Sequence, residues 1–183
     1  YERTPHNVGF AVVDRLAAEV GARLRRSLRF RARLAAGKYR GRDLLLVEPL
    51  TYMNLSGTAV GAILRYRKLS REDLIVILDD ADLPLGRLRI RPSGSSGGHR
   101  GLESVITSAG GSDFIRVRIG IGRDDAREGL IGRVLRPLRG AEAELADKVV
   151  EQAARAVLCV IDEGIECAMN RFNGLDLRPD QRA

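Results

Sequence analysis

The chain has 183 residues, a mass of 20.1 kDa and a formal charge of +7, with a pI near 10.1. Hydrophobic residues make up 44% and charged residues 30%, a globular balance that excludes disorder as the main state. Length points to one domain, and no apolar run approaches the roughly 20 residues that a membrane-spanning helix needs. Two cysteines, Cys159 and Cys167, form no disulfide framework, no CxxC and no zinc spacing, so a reducing cytoplasm is the expected setting.

Of the 31 basic residues only Lys38, Lys68 and Lys148 are lysine. The planar guanidinium fork suits phosphate, and a basic excess points to a nucleic-acid partner. A GC-rich genome or heat adaptation would favour arginine in the same way. Aromatics are 4% of the chain and Trp is absent, which argues against serial base stacking. Contacts to backbone and shape are the expected mode.

The chain opens with Tyr1-Glu-Arg-Thr-Pro-His-Asn, which reads as the middle of a loop, so a strand is expected ahead of it. Asn7 suits a helix N-cap, and Phe10, Val13, Leu16, Ala17, Val20 and Leu24 then recur at helical spacing. Leu28 to Ala35 alternates arginine with apolar residues and predicts an exposed strand. Asp43 to Pro49 is a short apolar run ended by proline, predicting a buried strand. Thr51 to Ser56 is a polar turn, with Ser56 placed to cap a helix over Gly57 to Tyr66. Ser70 with Asp73 predicts a short capped turn.

Leu74 to Leu78 is the most apolar run, expected at the sheet centre, and it ends in Asp79-Asp-Ala-Asp82. Pro84 to Gly86 is a turn, and Arg87 to Arg91 alternates as a strand. Ser93 to Gly98 is a flexible loop leading through His99 and Arg100 to a short helix over Leu102 to Ser108. Phe114 to Ile121 predicts a strand with Arg116 and Arg118 on one face, either extending a basic stripe or solvated. Asp124 to Glu128 is a charged loop. Glu142 to Glu163 is a long helix stopped by Gly164, and Asp176 to Ala183 is a polar, frayed tail. The order implies an α/β single domain with a twisted mixed β-sheet flanked by helices on both faces. Sites in such sheets lie beyond the C-terminal strand ends.

The histidines are His6 and His99, each in a small polar loop before a helix. A lone histidine is more often a cap or a satisfied core residue than a catalyst. Asp79, however, closes a central strand where a carboxylate has no packing role, and Asp beside His is the usual way to fix an imidazole tautomer and raise its basicity. Asn54 offers an amide N–H at a strand-to-helix turn, the geometry of an oxyanion donor. A base, an orienter and a neutral donor point to acyl or ester hydrolysis by water, with no metal or cofactor expected.

Other chemistries are less well supported. Ser56 lacks a GxSxG elbow, and Ser93, Ser95 and Ser96 sit on a loop too flexible to position a nucleophile. Asp79, Asp80 and Asp82 could hold Mg²⁺, but neighbours on a strand point opposite ways, which directs Asp80 to solvent and leaves Asp82 a turn residue. The Ser93–Gly101 segment, entering a helix, could bind an anion or be a mobile surface loop; it is neither a P-loop nor a dinucleotide fingerprint. Arg87, Arg89 and Arg91 recur with period two and predict one basic stripe running into it.

Five segments together resemble bacterial peptidyl-tRNA hydrolases: Tyr1 to Phe10, Glu48 to Gly57, Asp79 to Gly86, Gly97 to Leu102 and Phe114 to Gly122. They stand in family order and spacing over nearly the whole chain. The resemblance implies cleavage of the ester between a peptide and the 3′-terminal adenosine of tRNA, by a cytoplasmic monomer whose partner is the acceptor stem and 3′ end. It implies that His6 is the general base, that Asp79 supports it and that Asn54 binds substrate and places water or the oxyanion. Tyr1, Asn7, Tyr52, Met53, His99 and Arg100 would contact the acceptor end or shape the cleft, with Met53 beneath His6, and Arg89 and Arg91 would hold tRNA phosphate.

Three departures stand out. The family usually opens with a strand and a Gly-Leu-Gly-Asn-Pro-Gly turn, which would stand ahead of Tyr1, where the sequence begins. Arg100 stands where an Asn is common, and a guanidinium cannot accept a hydrogen bond. Pro5 replaces a common Arg and stiffens the loop before His6. A non-catalytic RNA-binding protein on the same fold is the alternative reading, and an esterase of small substrates a third.

Overall fold

The structure, a computed structural model, describes residues 7–122 and 140–178. It is a mixed α/β fold, as expected, but its described strands form two three-stranded sheets rather than one. The chain packs as two compact units, one of Leu16–Val76 with Arg91–Ile115 and one of Tyr1–Arg15, Ile77–Ile90 and Arg116–Ala183. Tyr1, His6 and the charged loop from Asp124 to Glu128 lie outside the described residues.

Helix α1 covers Val8–Glu19 and stops short of Leu24. Gly21 is the reason: at φ 63° it adopts the left-handed conformation, and Ala22 N–H donates to the Ala17 carbonyl at 2.8 Å while Gly21 N–H donates to that of Ala18 at 3.2 Å. This paired closure satisfies the last helical carbonyls. The expected strand from Leu28 to Ala35 is only half realised: Leu28 to Arg31 form a turn between β1 (Arg25–Ser27) and β2 (Ala32–Tyr39). Arg31, left-handed at φ 50°, closes the intervening turn. Phe30 leaves the alternation to meet the Tyr66 ring, centroids 5.4 Å apart, so a tertiary contact overrides the period-two pattern.

Strand β3 (Arg42–Pro49) pairs antiparallel with β2, from Tyr39↔Arg42 to Ala32↔Pro49. Arg40 and Gly41 take φ of 47° and 82°, the two left-handed residues that a tight hairpin turn requires. β3 was expected to be fully buried. Within it only Leu46 and Glu48 are buried, because an antiparallel hairpin leaves one face to solvent. Glu48, 0% exposed, meets Arg33 directly across the ladder at 2.8 Å.

Helix α2 (Ser56–Arg67) and helix α3 (Arg100–Ala109) pack closely. Gly57 and Gly61 face Ser104 and Ser108: a Cβ on Gly57 would fall on the Ser104 carbonyl oxygen, and Gly57 N–H donates to Ser104 Oγ at 3.0 Å. Ser56 does not cap α2. The 3-10 turn Met53–Leu55 runs straight into the helix, so Ser56 is already helical and its hydroxyl donates back to the Met53 carbonyl at 2.9 Å. The Ser70–Asp73 capping box is present as expected.

The second sheet has the order β4 (Ile75–Asp80), β6 (Ile115–Gly120), β5 (Leu88–Arg91). Ile115 N–H donates to the Leu74 carbonyl and Ile121 N–H to that of Asp80; the equal sequence offset makes β4 and β6 parallel. Among the described strands β6, not β4, is central. An apolar run reports burial, not position in a sheet, and β6 carries Val117 and Ile119 at 0% and 1% exposure.

Helix α4 (Ala141–Glu163) buries Val149, Ala153, Val157 and Val160, and Gly164 ends it. A further helix, α5 (Ile165–Phe172), follows without a clear periodic forewarning. The described part of the tail, residues 176–178, is anchored rather than frayed: Leu177 N–H donates to the Gly86 carbonyl at 3.0 Å, and Asp176 pairs with Arg87 at 2.9 Å and Arg178 at 2.6 Å.

Candidate active site

Tyr52, Met53 and Asn54 occupy the turn between β3 and α2. Tyr52 is 77% exposed and Met53 42%, and Asn54 is exposed too, so its amide is presented to solvent. His99 is the N-cap of α3, its Nδ1 accepting the Leu102 N–H at 3.1 Å. The neutral ring therefore carries its proton on Nε2. Gly101 brings the two segments together: a Cβ there would lie 2.5 Å from Met53 Sδ and 3.1 Å from His99 Cε1. Any side chain at Gly101 would push the Met53 thioether off the first turn of α3.

Arg100 is the exposed first residue of α3. A cation at a helix N-terminus opposes the macrodipole, so helix stability does not account for this residue. The Tyr52–Asn54 turn and the His99–Arg100 start thus form one exposed polar surface.

In the other unit Asp79 is buried, 7% exposed, at the end of β4. Asp80, expected in solvent, is equally buried: its Oδ2 forms an ion pair with Arg118, 2.9 Å from Nε, and its Oδ1 accepts from Asp82 N–H at 2.9 Å. Successive side chains leave a strand on opposite faces, so this pairing directs Asp79 to the other face. Gly9 in α1 meets β4 closely, since a Cβ there would lie 2.8 Å from the Ile77 carbonyl oxygen. Asn7, half-buried, stands just ahead of α1.

Arg89 and Arg91 project to solvent from β5 while Leu88 and Ile90 are buried, which matches the predicted stripe. Arg87 does not join it, because Asp176 holds its guanidinium. Arg116 and Arg118 do not form the expected exposed face: Arg116 is 1% exposed and Arg118 is tied to Asp80. Asn173 was not foreseen. Its Oδ1 accepts the Ile90 N–H at 2.6 Å and its Nδ2 donates to the Ile90 carbonyl at 3.2 Å. One amide thereby replaces a strand partner between the two arginines, and an Asn after a C-terminal helix carries no sequence signal for that role.

Among the described residues the carboxylate and thiols that converge within 4.8 Å are those of Cys159, Glu163 and Cys167. Arg171 already occupies a cation's place there, with Nη1 and Nη2 at 2.8 and 2.9 Å from the two Glu163 oxygens. Its hydrogen bonds draw the Glu163 carboxyl down to about 2, while burial pushes the Cys159 thiol up to about 11.

The described fold belongs to the class of mixed α/β proteins, with polar groups at strand and helix ends and exposed cations on β5. The family model for peptidyl-tRNA hydrolase matches residues 1–180, and the chain belongs to that family. It is 45% identical over 183 residues to a peptidyl-tRNA hydrolase of Synechococcus sp. (strain JA-3-3Ab), covering all of this chain and 81% of that one. It is 44% identical over 174 residues to that of Caldanaerobacter subterraneus subsp. tengcongensis, covering 95% and 93%. A crystal structure of a point variant of the Acinetobacter baumannii peptidyl-tRNA hydrolase superposes with a TM-score of 0.91 at 31% identity, covering 97% of this chain and 90% of that one. The non-catalytic alternative gains no support from these relatives.

Proposed function

We propose that this chain hydrolyses the ester joining a peptide to the 3′ end of tRNA, freeing the tRNA for translation. The observation that carries the reading is the family match over residues 1–180. His6 is the general base: its imidazole takes a proton from water, the nascent hydroxide attacks the ester carbonyl, and the imidazolium returns the proton to the departing 3′ oxygen. Asp79 positions the imidazole and stabilises its charged form. Its burial supports that role, as does the engagement of Asp80 by Arg118. Gly9, three residues after His6, touches Ile77, two before Asp79.

Asn54 donates its amide N–H to the oxyanion. Tyr1, Asn7, Tyr52, Met53, His99 and Arg100 serve the acceptor end. Arg100 binds a phosphate or the peptide carbonyl, a role supported by its place at a helix start where its charge opposes the macrodipole. Arg89 and Arg91 hold phosphate, their exposure maintained by Asn173. The reading takes residues 1–183 as one hydrolase domain, acting as a monomer in the cytoplasm.

The test is His6→Ala. Release of peptide from peptidyl-tRNA should vanish while tRNA binding persists, and full turnover in the variant would overturn the proposal.

A further inference from the structure

Helix α2 carries Asn54 and its neighbours just ahead of its N-terminus and a different surface at its far end. With 12 residues and about 1.5 Å of rise per residue, the helix separates the two by about 18 Å. There Tyr66 is 53% exposed. The Arg29 guanidinium lies over its ring at 4.0 Å from the centroid, and that of Arg67 at 5.9 Å. Arg26 and Arg31 flank Arg29 on β1 and the following turn, and Lys68 ends α2; all are exposed.

None of these five cations makes an ion pair among the described residues. Gathering like charges without counter-charge costs stability and is compensated by a polyanion. The ring holds two guanidiniums in place by cation–π contact, so their forks are pre-organised for phosphate. An acidic peptide would need carboxylates at matching positions; a nucleic-acid backbone supplies charge continuously.

We infer that this patch is a second docking surface for the phosphate backbone of tRNA, engaging its body while the Tyr52–Asn54 end of α2 serves the 3′ terminus. The inference rests on the hydrolase reading for the choice of RNA. Arg26→Gln/Arg29→Gln/Arg67→Gln is to be compared with wild type for binding of uncharged tRNA and of a CCA-ended hexanucleotide across a salt series. Each phosphate contact adds roughly 0.7–0.9 to the slope of log affinity against log salt. Loss of three should lower the tRNA slope by about 2–3 and the affinity at moderate salt by about tenfold or more. Hexanucleotide binding and hydrolysis of a short peptidyl-oligonucleotide should not change.

Because Arg29 and Arg67 pack on Tyr66, Arg26→Gln/Lys68→Gln provides a variant that leaves the ring cluster intact, with an expected slope change of about 1.5–2. An unchanged tRNA slope in either folded variant overturns the inference. So does an equal loss for tRNA and hexanucleotide, or tighter wild-type binding to phosphatidylserine vesicles than to tRNA. If wild type releases no peptide while the slopes still fall, the hydrolase reading fails and the docking surface stands.

Discussion

Arg118 forms an ion pair with Asp80, its Nε 2.9 Å from Oδ2, with the carboxylate 7% and the guanidinium 23% exposed. The two adjacent aspartates ending β4 are thereby separated in role. Asp80 belongs to the packing of the β4–β6 pair, and Asp79 leaves the strand on the opposite face.

Substitution should separate them. Asp79→Asn should lower kcat by about 100-fold or more, within the range of general-base assistance. Loss of the carboxylate destabilises an imidazolium, so the acid limb of the rate profile should move to lower pH. Asp80→Asn should instead cost about 2–3 kcal/mol, less than a fully buried pair because Arg118 is partly solvated. Urea unfolding beside a pH–rate profile distinguishes the two.

Asn173 satisfies both backbone groups of Ile90 with one side chain. Asn173→Ala leaves a donor and an acceptor without that partner, at about 1–3 kcal/mol. The Ile90 amide should then exchange faster with deuterium. Binding of tRNA should weaken as Arg89 and Arg91 lose their fixed direction, while hydrolysis of a short peptidyl-oligonucleotide survives.

Gly57 lies against the Ser104 carbonyl. Gly57→Ala should destabilise by about 3 kcal/mol as the overpacked helices separate, and should disturb the Asn54 turn immediately before it. Gly174, with nothing within 4 Å of an added Cβ, is the matched control; Gly174→Ala should change the urea midpoint very little.

The cluster at the α4–α5 junction predicts two pH effects of opposite sign. Glu163 has its carboxyl lowered from 4.5 to about 2. Its contribution is therefore complete above 4.5 and is lost as pH falls from there through about 2. The stability difference between wild type and Arg171→Ala should shrink over that window. Cys159, raised from 9.0 to about 11, contributes fully below 9.0 and loses that contribution as pH rises through about 11. At pH near 8 its thiol should resist iodoacetamide in a Cys167→Ser variant, as read by mass spectrometry.

Much of this molecule is legible in the order of its residues. The α4 helix and its glycine stop, the Ser70–Asp73 box, the inside-out alternation of Leu88 to Arg91 and the five family segments all depend on neighbours within a few positions. Helical and strand periods and caps are short-range properties, so the chain alone determines them.

What lies between distant segments was decided only on folding. A period-two run says which face a side chain leaves from, not what waits there. The alternation thus predicts an exposed face for Arg116 and Arg118, although one is buried and the other is paired with Asp80. Phe30 broke its strand to reach Tyr66, and Arg87 left the basic stripe for Asp176, 89 residues away. In each case a contact between residues remote in sequence outweighs a local preference worth a fraction of its energy.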